Sequence, residues 1–219
     1  NSSGSYKQIT LPFTFPFYGK DYTSAYVTTE GYIQFGSTSD LYDYSNTVEE
    51  LISHVRIAPL WDDLTTSGTG KGVFMDSSVP EEVTIRWAAG LIADGSEVNF
   101  SVTLHADGAI EFHYGSGNQN LTPTIGISSG NGDAYSLSDY NAQANLDSAE
   151  SVSYELLPGI RDIGAYEYLG GGDITAPTIL DTNPAYVHVN GMSLTSTNSI
   201  VIFTSEPLIG SDARAKASY

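Results

Sequence analysis

The stretch Leu11–Gly36, LPFTFPFYGKDYTSAYVTTEGYIQFG, decides how this chain folds. Phe13, Phe15 and Phe17 recur at every second position, which places all three on one face of an extended strand. Pro16 has no backbone donor, so that strand belongs at a sheet edge or at a bulge. The segment Tyr18–Asp21 reads as a turn in which Gly19 takes positive φ. Tyr22–Thr28 and Tyr32–Phe35 then supply the aromatic and β-branched residues that suit a half-buried pleated surface. Thr29-Glu30-Gly31 joins them as a hairpin turn, with Gly31 as its permissive residue.

Further along, the pattern stays β. The segment Ser37–Ser53 is a polar loop in which Thr47–Leu51 makes a helical turn, and Val55–Leu64 follows as a strand. Gly72–Asp76 and Val83–Ala88 are two more, separated by a turn at Pro80. The hairpin around Asp107-Gly108 is the sharpest local prediction. A two-residue turn would set Val102 against His113, mixing apolar with polar on one face. A three-residue loop, Ala106-Asp107-Gly108, pairs Leu104 with Ile110 and Val102 with Phe112. Register follows the apolar face, so the longer loop is preferred, with Gly108 in the left-handed region. It sets His113 opposite Ser101 and His105 opposite Ala109, both outward. Thr124–Ser128 and Ser151–Leu157 complete the strands of this part, and Tyr135–Leu146, which has no clean period, reads as an ordered loop. Roughly ten strands and no helix of ten residues make an all-β, antiparallel β-sandwich the natural architecture.

Composition narrows the partners. The chain has 219 residues and a formal net charge of −18, from 26 acidic against 8 basic residues. Nucleic acid and anionic lipid both demand Lys/Arg clusters, and the sequence has none. No run approaches the length needed to span a bilayer, so membrane insertion is not expected. With no cysteine there is no disulfide framework and no thiol chemistry. The start at Asn1, without a leader pattern, reads as part of something longer.

Two sets of residues stand out as candidate sites. Asp62 and Asp63 follow Trp61 at a strand end, and Asn131, Asp133 and Asp139 lie in an oxygen-rich loop region. Calcium is the cofactor such oxygens would suit. Capping of backbone donors and ordinary turn formation are the plainer readings, and they stand first. Asp62 and Asp63, as strand neighbours, point to opposite faces and do not make a facing catalytic pair. The four histidines show no metal-ligand spacing, there is no GxSxG, and the glycines near Lys71 lack phosphate-loop spacing. An enzyme is therefore not expected. Tyr42, Tyr44, Tyr135 and Tyr140 lie in polar segments, where tyrosines either stack on sugars and anchor interfaces or close over the ends of the sandwich.

Four segments carry a resemblance to a known family: Phe15–Gly36, Ile57–Leu64 (IAPLWDDL), Gly72–Met75 (GVFM) and Val98–Gly115 (VNFSVTLHADGAIEFHYG). In order and spacing they are similar to the nidogen-type (NIDO-like) extracellular domain and its bacterial relatives. The family's usual Asn before the turn glycine is Glu30 here. Such domains are non-catalytic modules of matrix and surface proteins, linked to adhesion. Gly159–Tyr168, GIRDIGAYEY, resembles a closing motif of bacterial surface proteins. Asp173–Ala185 with Ser199–Leu208 is similar to the first half of a bacterial Ig-like domain. The resulting division is a NIDO-like sandwich at 1–158, the motif with a glycine linker at 159–172, and a partial Ig-like β segment at 173–219.

The resemblance implies a secreted or cell-surface bacterial module for adhesion or matrix attachment, with other extracellular proteins, glycans or further copies of itself as partners. One alternative is a subunit of an extracellular filament, joined by strand addition through the incomplete C-terminal segment. A second is an accessory domain of a polysaccharide-degrading enzyme.

Overall fold

A computed structural model describes residues 4–155 and the short strands 188–189 and 192–193. The chain divides into two compact units, Asn1–Leu169 and Gly170–Tyr219. In the second, β13 (His188–Val189) pairs antiparallel with β14 (Met192–Ser193). The expected strands Thr175–Thr182 and Ser199–Thr204, and the segment 159–172, lie outside the described residues.

The first unit is built from two antiparallel sheets arranged as a sandwich. One sheet runs β1 (Tyr6–Phe17), β2 (Lys20–Thr28), β3 (Ile33–Gln34), β4 (Val55–Trp61), β10 (Thr124–Ser129), β11 (Tyr135–Leu137). The other runs β12 (Val152–Tyr154), β9 (Ile110–Tyr114), β8 (Glu97–His105), β7 (Glu82–Leu91). On β7 lie both β5 (Leu64–Thr65) and β6 (Gly72–Asp76). One short helix, α1 (Val48–Ser53), is capped by Thr47, whose hydroxyl accepts from Glu50 N at 3.2 Å. Six residues are too few for a helix to persist alone, and Leu51 on its buried side fixes it to the sheet.

The opening stretch folds as its spacing predicts. β1 is an edge strand, as Pro16 requires, and its register with β2 shifts between Thr10 and Phe15. Phe15 and Phe17 are fully buried and Phe13 packs partly on the same core. The Phe15 ring stacks on Phe35, and the Phe17 ring meets Phe35 at a tilt. From the opposite sheet come Trp87, Phe100, Val102, Leu104, Ile110 and Phe112. Burying each of these large side chains contributes about 1.5–3 kcal/mol. Polar atoms within the core are paired across the sandwich: Trp87 Nε1 donates to Thr28 O at 2.8 Å, and the Tyr114 hydroxyl donates to Pro59 O at 2.9 Å.

The β8–β9 hairpin has the expected register, Leu104 opposite Ile110, Val102 opposite Phe112 and Ser101 opposite His113. Gly108 sits at φ +95°, in the left-handed region. Several strand boundaries differ from expectation, and in two places the physical cause is plain. The strand begun at Val55 stops at Trp61, because Asp62 turns its carboxylate back onto the chain. Tyr135–Leu137 is a strand where a loop was expected, since Gly126, Ile127 and Ser128 of β10 offer it a ladder that no local period reveals.

Candidate ligand-binding surface

The outer face of the first sheet carries a second, smaller core. Tyr32, Leu41, Leu51, Ala58 and Trp61 are buried there, beneath the loop that runs from Gly36 to α1. This loop has little apolar content of its own, so side chains of the sheet hold it by its carbonyl groups. Gln34 Nε2 donates to Ser37 O and Ser39 O, the Tyr32 hydroxyl to Asp40 O, and Trp61 Nε1 to Asp43 O. At the centre is Arg56, fully buried. Its Nε donates to Gln34 Oε1 at 2.7 Å, Nη1 to Glu50 O and Nη2 to Asp40 O, both at 3.1 Å. The guanidinium also lies over the Tyr32 and Trp61 rings at 4.6 and 4.8 Å. Burial lowers its pKa, while Tyr32 and Asp43 oppose that shift. Asp43 Oδ2, 3.6 Å from Nη1, supplies the countercharge. The network satisfies the buried cation that this layer requires.

The loop thus pinned sets Tyr42 beside β1. The Tyr42 and Tyr6 rings meet edge to face, with centroids 5.2 Å apart and planes at 65°. Tyr6 in turn meets Tyr26 at 6.0 Å and 80°. Tyr42 is 62% exposed and Tyr6 38%. The Tyr42 hydroxyl titrates above its ordinary value because its side chain is hydrogen-bonded to Tyr6. Tyr44, in the same loop, is 67% exposed. Tyr135 lies on β11 opposite Ser128, which pairs with Arg56, so it shares the outer face but stands beyond the covering loop. Tyr140 is different: it is half-buried and packs edge-on against Tyr114 at 5.6 Å, as part of the core wall. Of the four tyrosines expected as ligand contacts, only Tyr42 joins an aromatic group at the surface. Tyr6 and Tyr26 complete that group, and both sit in strands whose sequence reads as ordinary sheet.

The acidic candidates are dispersed. Asp62 Oδ1 accepts from Asp63 N at 2.8 Å and Oδ2 from Thr122 N at 2.7 Å, tying the end of β4 to the segment before β10. Burial, then the Asp62 charge, raises the pKa of Asp63. Asn131 Oδ1 accepts from Ser129 Oγ, Asp133 N and Ala134 N, which closes the β10–β11 turn. Asp133 is exposed within that turn, and exposed Asp139 accepts from Gln143 through its backbone carbonyl. Trp61 pairs with Thr124 and Val55 with Ser129, so Asp62 and Asn131 stand at opposite ends of β10. Among the described residues, no group of three or more His, Asp or Glu is placed to hold a metal ion.

Glu30 acquires a role that its sequence context did not disclose. It is buried, with Oε1 accepting from Gly4 N and Thr29 Oγ1 and Oε2 from Leu64 N. A carboxylate has acceptor capacity on both oxygens, and here it joins the start of the chain, the β2–β3 turn and β5. Desolvation raises its pKa, and the bonds from Gly4 and Leu64 pull it back. Beside it, Gly31 at φ +90° is obligatory, because a Cβ would fall 1.9 Å from Leu60 O.

This arrangement defines an all-β sandwich module with a group of tyrosines on the outer face of one sheet. The chain belongs to the NIDO-related family, whose sequence profile matches residues 1–156. No curated protein and no solved structure matched the chain. Domains of this family are in general non-enzymatic and typically extracellular. No helix among the described residues is long and apolar enough to cross a membrane.

Proposed function

We propose that this protein is an extracellular, non-catalytic adhesion module that attaches a larger bacterial surface or secreted protein to matrix material. The family match over residues 1–156 carries this reading. The dispersal of the acidic candidates supports it, and Asp62 in particular already uses both carboxylate oxygens on backbone N–H groups. Retention of the full chain on immobilised matrix proteins and polysaccharides tests it. Saturable retention is expected, and failure to bind any of them contradicts it.

A second reading, an assembly of copies through strand addition, is favoured by one observation. β6 is a sheet edge on which Phe74 and Met75 are about half exposed, and Val79 lies exposed just beyond it. An apolar edge with open backbone groups is a template for pairing with another chain. Sedimentation at rising concentration tests it: association that Phe74→Lys abolishes supports the assembly, and a monomer throughout contradicts it.

A further inference from the structure

We propose that Tyr6, Tyr26 and Tyr42 form a corner that binds the ring faces of an uncharged glycan. The inference rests on the adhesion reading and names its ligand class. Three observations carry it. First, the rings meet edge to face, at 65° and 80°, so each contact covers only the part of a face that a neighbouring edge touches, and Tyr6 and Tyr42 stay exposed above the half-buried Tyr26. Two walls at a steep angle remain open to a flat apolar ligand surface, which is what the C–H face of a pyranose offers.

Second, the surroundings are small and hydrogen-bonding, not aliphatic. Gln8 pairs in register with Tyr26, and Thr10 pairs with Ser24 on the same face. Gln8 Nε2 reaches Ser24 Oγ only at 3.5 Å on an exposed surface, a bond readily exchanged for a sugar hydroxyl. The β6 edge, with Phe74, Met75 and Val79, has the apolar composition of a protein contact instead. Third, the chain carries 8 basic residues against 26 acidic ones, so sulfated or uronic polymers would meet repulsion and a neutral sugar would not. The corner is also pre-formed. Tyr42 rests edge-on against Tyr6, and its loop is held by Arg56, so little ordering is needed on binding.

The test is titration calorimetry of the full chain with hexasaccharides of glucose, mannose and N-acetylglucosamine, alongside the matrix-retention assay. At least one hexasaccharide is expected to bind. Tyr42→Ala and Tyr6→Ala are each expected to weaken it about 10-fold, the loss of one aromatic contact. Tyr42→Trp should retain binding, and Tyr44→Ala should leave it unchanged. Unchanged melting of Tyr42→Ala shows that the fold survives. Matrix retention without binding of any hexasaccharide overturns the glycan corner and leaves adhesion standing, as does retention that survives glycosidase treatment of the matrix. Hexasaccharide binding equal in Tyr42→Ala and the parent also overturns it. Hexasaccharide binding lost in Tyr42→Ala, with no matrix retention, supports the corner and sinks adhesion. Failure in both assays removes both.

Discussion

Glu30 and Gly31 show how two adjacent residues set a junction of the sandwich. Gly31→Ala would combine a Cβ 1.9 Å from Leu60 O with a φ of +90°. Neither a carbonyl nor a buried strand end can move away cheaply, so a loss of about 2 kcal/mol or more is expected. Thermal melting reads this as a drop of about 4–8 °C for a domain of this size. Glu30 makes a prediction with a sign. Its folded pKa is raised above the ordinary 4.5, chiefly by desolvation. Its protonated form is therefore favoured in the folded state, and the stability it contributes is full below about pH 4.5 and fades as pH rises through the folded value. Glu30→Gln keeps the shape but has one acceptor oxygen where the carboxylate uses two, for the donors of Gly4 and Thr29 and for that of Leu64, costing about 1–3 kcal/mol. Denaturant melts across pH should show the parent's advantage over the variant shrinking from acid toward neutral. An advantage that grows instead would contradict the assignment of burial as the dominant cause.

At the scale of elements, the loop between β3 and α1 depends on Arg56 more than on its own sequence. Arg56→Met would leave the Asp43 carboxylate without its countercharge and Gln34 Oε1 without its donor, and would remove one of the bonds to each of the carbonyls of Asp40 and Glu50. Breaking a buried charge pair from one side costs about 3–5 kcal/mol. Limited proteolysis should then cut between Gly36 and Thr47, and Arg56→Lys should not restore protection, because one ammonium cannot replace the planar fork. The contrast between elements explains what the sequence disclosed. The hairpin from Leu104 to Ile110 was legible because its register follows from local alternation, and the phenylalanines of β1 from their spacing. The placement of Tyr42 was not. Its neighbours Tyr6 and Tyr26 lie in other strands, and only the buried arginine network brings the loop over them. Tyr140 looked equivalent to Tyr42 in composition, yet the core claimed it through Tyr114. Glu30 likewise bonds to partners 26 and 34 positions away, which no local pattern announces.

At the scale of the whole molecule, the sandwich carries its tyrosine corner on an outer face, while the Asp62 carboxylate serves its own backbone. A net charge of −18 gives the surface a single-sign field that disfavours anionic partners. Retention on matrix material should therefore weaken little with added salt, since aromatic stacking on a neutral ligand carries no ionic term. A steep loss between low and physiological salt would point instead to a cationic protein ligand. The most direct measurement is retention of the full chain on immobilised neutral polysaccharide, followed by chemical recovery of the ligand. Saturable binding that Tyr42→Ala weakens about 10-fold is expected, with the polysaccharide recovered at its original length. Shortened or modified polysaccharide, or binding that is absent altogether, would contradict it.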